Sequence, residues 1–306
     1  MLSLSKRNVI TSMILAGAMF ATPVFAQARK PLSVVASFSI LADMAREIAG
    51  DRAIVTALVG PNADAHVYAP TPNDAKALKN ADLILINGLG FEGFMPRLIA
   101  SSGTKARVIT ASTGVKPLTS GSEHGHGHDH GRLDPHAWQS VSAAKLYAAN
   151  IRDGLIAADA ANASLYQSRA EAYINALGTL DADLKAAFST IPPEKRIIVT
   201  NHDALGYFAR DYGFRLESVQ GLSTESEPSA KDIARVIRIV REKKARAVFI
   251  ETFADPRIGA ELAKQTGAKL GGTLYSDALS DEKGPAATYI SMMRNTMTVL
   301  LEALKD

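Results

Sequence analysis

Seven histidines occur in the 306-residue sequence, and five of them fall between positions 124 and 136, inside EHGHGHDHGRLDPHAW. Neutral imidazole is the commonest metal-binding side chain, so the clustering points to metal chemistry. Within the run, histidine alternates with glycine or aspartate, a composition that builds no packed core and reads as a flexible, solvated segment. His124, His126, His128 and His130 are therefore expected to collect metal weakly from a loop over 120–132. The plainer alternative is a variable insertion with the incidental affinity of any polyhistidine.

His136, in DPHAW, belongs with the two remaining histidines rather than with the run. His66 follows the strand-like stretch AIVTALV after a short turn, and His202 directly follows RIIVTN. His136 lies beyond KARVITA, separated from it by the inserted loop, and one carboxylate, Asp277, follows KLGGTLYS in the same relative place. In open α/β sheets the carboxyl ends of the strands form the crevice where ligands bind, so two residues from each half would face one cleft. Three imidazoles and a carboxylate make a tetrahedral nitrogen and oxygen shell, which suits Zn2+ better than an oxygen-seeking ion. Any one of these residues alone would be an ordinary surface or hydrogen-bonding group; their joint placement carries the reading.

Short aliphatic runs and longer amphipathic segments alternate along the chain, the pattern of parallel strands and crossover helices. Strands are expected at LSVVASFS, AIVTALV, DLILING and KARVITA, with helices starting near Ile40, Asn73 and Glu92. The alternation resumes with RIIVTN, FRLESV, ARAVFIE and KLGGTLY. Between the two sets, good helix formers run until Pro192 and Pro193 stop them. The expected fold is α/β, with two similar lobes, each a mostly parallel four-stranded sheet flanked by helices, joined by one long rigid connector helix. The expected divisions are a signal peptide at 1–26, a first lobe at 27–157, the connector at 158–191 and a second lobe at 192–306.

The leader is read from Lys6 and Arg7, a following apolar run, and small residues at a plausible cleavage position. The run is about 15 residues, short of the roughly 20 that span a bilayer. Removing 1–26 takes the formal charge from +3 to +1, so no basic surface for nucleic acid is expected. The sequence has no cysteine, which excludes disulfides, thiolate metal sites, a thiol nucleophile and a lipid-bearing cysteine. Export to a bacterial periplasm, and not a lipoprotein's anchorage, is the expected destination. The turn GLGFEGF lacks both the GxGxxG spacing and a Walker lysine, and GxSxG is absent. Trp138 is expected to pack as buried apolar mass, and Tyr68 is a weak candidate for lining the cleft.

Several of these segments, in order, resemble the periplasmic solute-binding proteins of zinc and manganese ABC transporters: VVASFSILADMAREIAGDRAIVTALVGPNADAHVYAPTPNDAKALKNADLILINGLGFEGF, DPHAW, TNHDALGYFARDYGF, FIETFADPR and GGTLYSDALS. The likeness covers about residues 31–305. It implies the same ligands, His66, His136, His202 and Asp277, and places Glu251 near them in support. Manganese-type members tend to carry a carboxylate where this sequence has His202, so the resemblance favours Zn2+, with Mn2+ as the second choice. Ala65 stands where many relatives have proline before the first histidine. The resemblance further implies a receptor that is not an enzyme, docking on a membrane permease powered by a cytoplasmic ATPase; a monomer is expected, with a periplasmic metallochaperone as a candidate further partner. The competing readings are a manganese receptor of the same type, a periplasmic zinc buffer, and a zinc hydrolase with an open coordination position.

Overall fold

The computed structural model describes residues 30–119 and 133–305; the expected leader and the histidines at 124, 126, 128 and 130 lie outside them. Strand β1 (Leu32–Phe38) is buried along most of its length, as a strand covered on both faces must be. It lies between β2 (Ala53–Val59) and β3 (Leu83–Ile86), and β4 (Arg107–Thr110) adds to the far side of β3. All three pairings are parallel, giving the order β2-β1-β3-β4.

Helix α1 (Ser39–Ala49) starts directly from β1 and buries nine of its eleven residues. Helix α2 (Pro72–Lys79) begins with a reciprocal Thr71–Asp74 capping box and a proline in its first turn, which is why Pro70 and Pro72 mark its start in the sequence. Helix α3 (Met95–Ser102) starts three residues later than expected. Gly88 and Gly90, at φ of +85° and +82°, form a left-handed turn ahead of it.

Helix α4 (Val141–Ala158) returns along the sheet, and α5 (Ala163–Ser189) follows it after a four-residue turn. Tyr166 donates to Asp159 in that turn, at 2.9 Å, which delays the start of α5 beyond the expected residue 158. At 27 residues α5 is about 40 Å long. It packs against α1 and α4 of the first lobe and, in the second, against α6 (Gly206–Tyr212) and α9 (Tyr289–Leu304).

The second lobe holds β5 (Ile197–Thr200), β6 (Arg215–Ser218), α7 (Ala230–Lys243), β7 (Ala247–Glu251), α8 (Pro256–Thr266) and β8 (Lys269–Leu274). Its strands pair in parallel as β5–β6 and β7–β8, so two ribbons stand where a continuous four-stranded sheet was expected. The β7–β8 ladder is itself irregular, with a register shift between Val248 and Ile250. A Cβ on Gly271 would sit 2.5 Å from the Phe249 ring, so this bulge needs glycine.

One hydrophobic core runs from β1, α1 and α4 through α5 to α9, with a smaller cluster of Val199, Val236, Val240 and Leu262 beneath α7 and α8. Among the described residues, no helix is long and apolar enough to cross a membrane.

Candidate metal centre

The turn after β2 ends at His66, and the carboxylate of Asp64 shapes it by accepting the His66 backbone N–H at 2.8 Å. DPHAW repeats the device: Asp134 accepts the His136 backbone N–H at 2.9 Å. Asp134 Oδ1 is also 2.8 Å from His136 Nδ1, which leaves Nε2 free to face the cleft. A short helical turn, Ala137–Gln139, then leads into α4. His202 stands just past the end of β5, and Asp277 lies in the segment between β8 and α9.

These four residues converge. His66 Nε2 lies 3.2 Å from both His136 Nε2 and Asp277 Oδ2. Asp277 Oδ2 is 3.1 Å from His202 Nε2 and 3.7 Å from His136 Nε2. One donor atom from each falls within 4.8 Å of all the others, and His136, His202 and Asp277 are fully buried. Among the described residues, Asp277 Oδ1 is buried without a hydrogen-bond partner, which leaves it open to a ligand.

The electrostatics fit a cation. Burial alone would pull the pKa of His136 down, but the carboxylates of Asp277 and Asp134 outweigh it and push it up to about 9. His202 is likewise raised well above the usual histidine range, burial opposing it and Glu251 and Asp277 prevailing. Burial would raise Asp277, yet His136 and His202 hold it well below the usual carboxylate range. Asp277 thus favours positive charge on His136 and His202, the kind of charge a metal ion would otherwise bring.

Glu251, at the end of β7, organises the second-lobe donors. Its Oε1 accepts the His202 backbone N–H at 2.9 Å, and its Oε2 stands 2.6 Å from His202 Nδ1, in charge contact but off the line of a hydrogen bond. Ser276 Oγ also donates to Oε2, tying His202 to the residue before Asp277.

Aromatic rings wall off the donors. Phe91 meets the His66 ring edge-on at 4.8 Å, and Trp138 lies 5.3 Å from His136 and 4.7 Å from Phe91. The GLGFEGF turn therefore delivers a hydrophobic wall, a role its sequence did not announce. Trp138 is buried as expected, and its indole N–H also donates to Ser276 O at 2.8 Å. Tyr68 turns away, donating to Asp74 at 2.9 Å and packing on Phe94.

Asp277 belongs to the second lobe in sequence, but its segment is bonded largely to the first. Gln139 joins Trp138 in donating to Ser276 O; Leu279 donates to Ser39 Oγ at 3.0 Å and accepts from the Asn62 N–H at 2.8 Å. Asp43 of α1 accepts the Tyr289 N–H at 2.7 Å, at the first turn of α9. A further tie joins the lobes at the cleft, where Thr224 donates to Asp64 at 2.6 Å.

Sequence reasoning missed Asp64 and Asp134. The signal was present as a repeated pattern, an aspartate two residues before each of the first two histidines. It also missed Gly206, where a Cβ would sit 2.7 Å from Asp134 Oδ2, so that only glycine lets α6 start against the carboxylate that orients His136.

Two α/β lobes with a buried cluster of three histidines and one aspartate between them define a metal-binding receptor of the kind that serves ABC transporters. The chain belongs to the family described as zinc-uptake complex component A, periplasmic, whose profile matches residues 34–303. The iron-binding protein YfeA of Yersinia pestis is 38% identical over 272 residues, covering 89% of this chain and 86% of the relative. The manganese-binding lipoprotein MntA of Halalkalibacterium halodurans is 34% identical over 275 residues, covering 90% and 89%. The periplasmic zinc-binding protein TroA of Treponema pallidum superposes with a TM-score of 0.83 at 30% identity, covering 90% of this chain and 100% of that one. The protein is thus an extracytoplasmic, metal-binding substrate-binding protein that works with a membrane permease and its ATPase, and it is not an enzyme. The MntA relative is named a lipoprotein, whereas this sequence contains no cysteine.

Proposed function

We propose that this chain captures zinc in the periplasm, on His66, His136, His202 and Asp277, and hands it to its permease for import. The observation that supports zinc is the donor set: three imidazole nitrogens and one carboxylate oxygen, gathered within 4.8 Å. A small tetrahedral shell of nitrogen and oxygen suits zinc, whereas manganese favours more oxygens and a higher coordination number. The leader read at 1–26 fits delivery to the periplasm, and a monomer fits a receptor whose cleft lies within one chain. His124, His126, His128 and His130 fit a weaker collector beside the cleft.

The competing reading is a manganese or iron receptor of the same transporter type, favoured by the relatives named for those ions. Chelator-competition titrations of the metal-free protein with zinc, manganese and iron(II) decide between them. Zinc is expected to bind at least a hundredfold more tightly than manganese. Manganese binding as tightly as zinc would overturn the choice of ion. Loss of tight binding in His66→Ala, His136→Ala, His202→Ala and Asp277→Ala would fix the ligands.

A further inference from the structure

The donors are almost completely covered, so an ion needs a way in. A cavity of about 300 Å³ reaches one of them, with His202 in its wall and Asn201 beside it. Asn201 is 4% exposed, and its Oδ1 is buried with no hydrogen-bond partner among the described residues. A buried acceptor left unpaired is costly, so such an oxygen marks a place where a donor is meant to arrive.

The charge of the lining points to what arrives. Asp64, Glu225, Glu227 and Asp255 contribute carboxylates to the wall, and among the described residues no lysine or arginine lines it. Asp64 is engaged by Thr224 and the His66 N–H, and Asp255 by Arg257. Glu225 and Glu227 are exposed at the rim. A cleft lined by one sign of charge focuses the field and raises the local concentration and association rate of the opposite ion. At about 30 Å³ per water, a divalent ion with six waters fits the space.

We infer that this cavity is the route by which the cation reaches the cluster, and that it holds the ion in transit with its water shell intact. The shell's hydrogens donate to Asn201 Oδ1 and to the Glu225 and Glu227 carboxylates, until His202 replaces the first water. This rests on the receptor reading above, since it presumes a divalent ion bound at the cluster. It adds a site distinct from the four ligands, one that governs rate and leaves final affinity unchanged.

Trp138, the chain's single tryptophan, lies 5.3 Å from His136, so its fluorescence is the expected reporter of arrival. The test mixes metal-free protein with zinc in a stopped-flow instrument at low ionic strength, comparing wild type with a Glu225→Gln, Glu227→Gln double variant. The association and dissociation rates are each expected to fall about tenfold, with the dissociation constant from chelator competition within twofold of wild type. The same charge change at Glu194 and Glu282, exposed positions outside the cavity, is expected to leave both rates unchanged. An unaltered association rate in the cavity variant, an equal fall in the control, or a loss confined to affinity would each overturn the route. Absence of zinc binding in wild type would instead overturn the receptor reading.

Discussion

Glu251 and His202 are joined twice: one carboxylate oxygen accepts the His202 backbone N–H at 2.9 Å, and the other faces Nδ1 at 2.6 Å. The negative charge behind the ring makes Nε2 a better donor and fixes its direction. Glu251→Gln keeps the size and removes that charge, so zinc affinity is expected to fall 10–100-fold, as is typical when a ligand's supporting partner is lost. Competition with a calibrated chelator measures it, and an unchanged affinity would reduce Glu251 to packing.

Ion binding should also appear as stability. At free zinc a thousandfold above the dissociation constant, unfolding should cost about 4 kcal/mol more than in the metal-free chain. Differential scanning calorimetry with and without zinc reads this as a higher Tm. His202→Ala is expected to abolish most of the shift; an undiminished shift in that variant would place the stabilising ion elsewhere.

The histidine run can be separated from the cluster. The described chain on either side of it is joined by a Thr119–Leu133 bridge and by the Asp134 N–H donating to Leu118 O at 2.9 Å. Tyr207 reinforces that neck from the second lobe, accepting from the Leu118 N–H at 3.0 Å and donating to Asp134 O at 2.9 Å. Deleting 123–131 should therefore retain one tightly bound zinc per molecule while weaker additional binding disappears. Isothermal titration checks both, and loss of the tight site would contradict the ligand assignment.

A pH effect on folding follows from Asp43. Burial, with a contribution from Glu47, pushes its pKa up to about 6 from a reference of 3.8, although the Tyr289 N–H opposes the rise. The folded state thus holds this proton more tightly than the unfolded state. The contribution is fully favourable below about 4 and is lost as pH climbs through about 6, by about 3 kcal/mol. Asp43→Asn should remove that slope, gaining stability relative to wild type between pH 4 and 7. Urea denaturation of the metal-free proteins across that range measures the difference, and parallel curves would refute it.

Much of this was legible in one sequence because strand ends are legible. Each of His66, His202 and Asp277 follows a β-branched or aliphatic run, and in parallel sheets that position opens onto a cleft. The supporting residues were harder to see: an aspartate stands two residues before His66 and His136, but the pattern alone does not say what it holds, and Glu251 came only with the family resemblance. Phe91 was hidden for a related reason: its turn looks like any glycine-rich loop until Gly88 and Gly90 aim it at His66. The register shift within the β7–β8 ribbon was hinted at by the doubled glycine, Gly271 and Gly272, but no signal marked the break between that ribbon and β5–β6. The seating of Asp277 was invisible, since sequence order assigns it to the second lobe while its neighbours Ser276 and Leu279 are hydrogen-bonded to Trp138, Gln139, Ser39 and Asn62.

That seating redraws the molecule's mechanical border. If the lobes tilt apart, Asp277 stays behind with His66 and His136 as a tripod, and His202 is the leg that lifts away. The cage is thus divided three against one, so a few ångströms of tilt would unfasten a single imidazole and leave the cargo exposed on the side facing away from the first lobe.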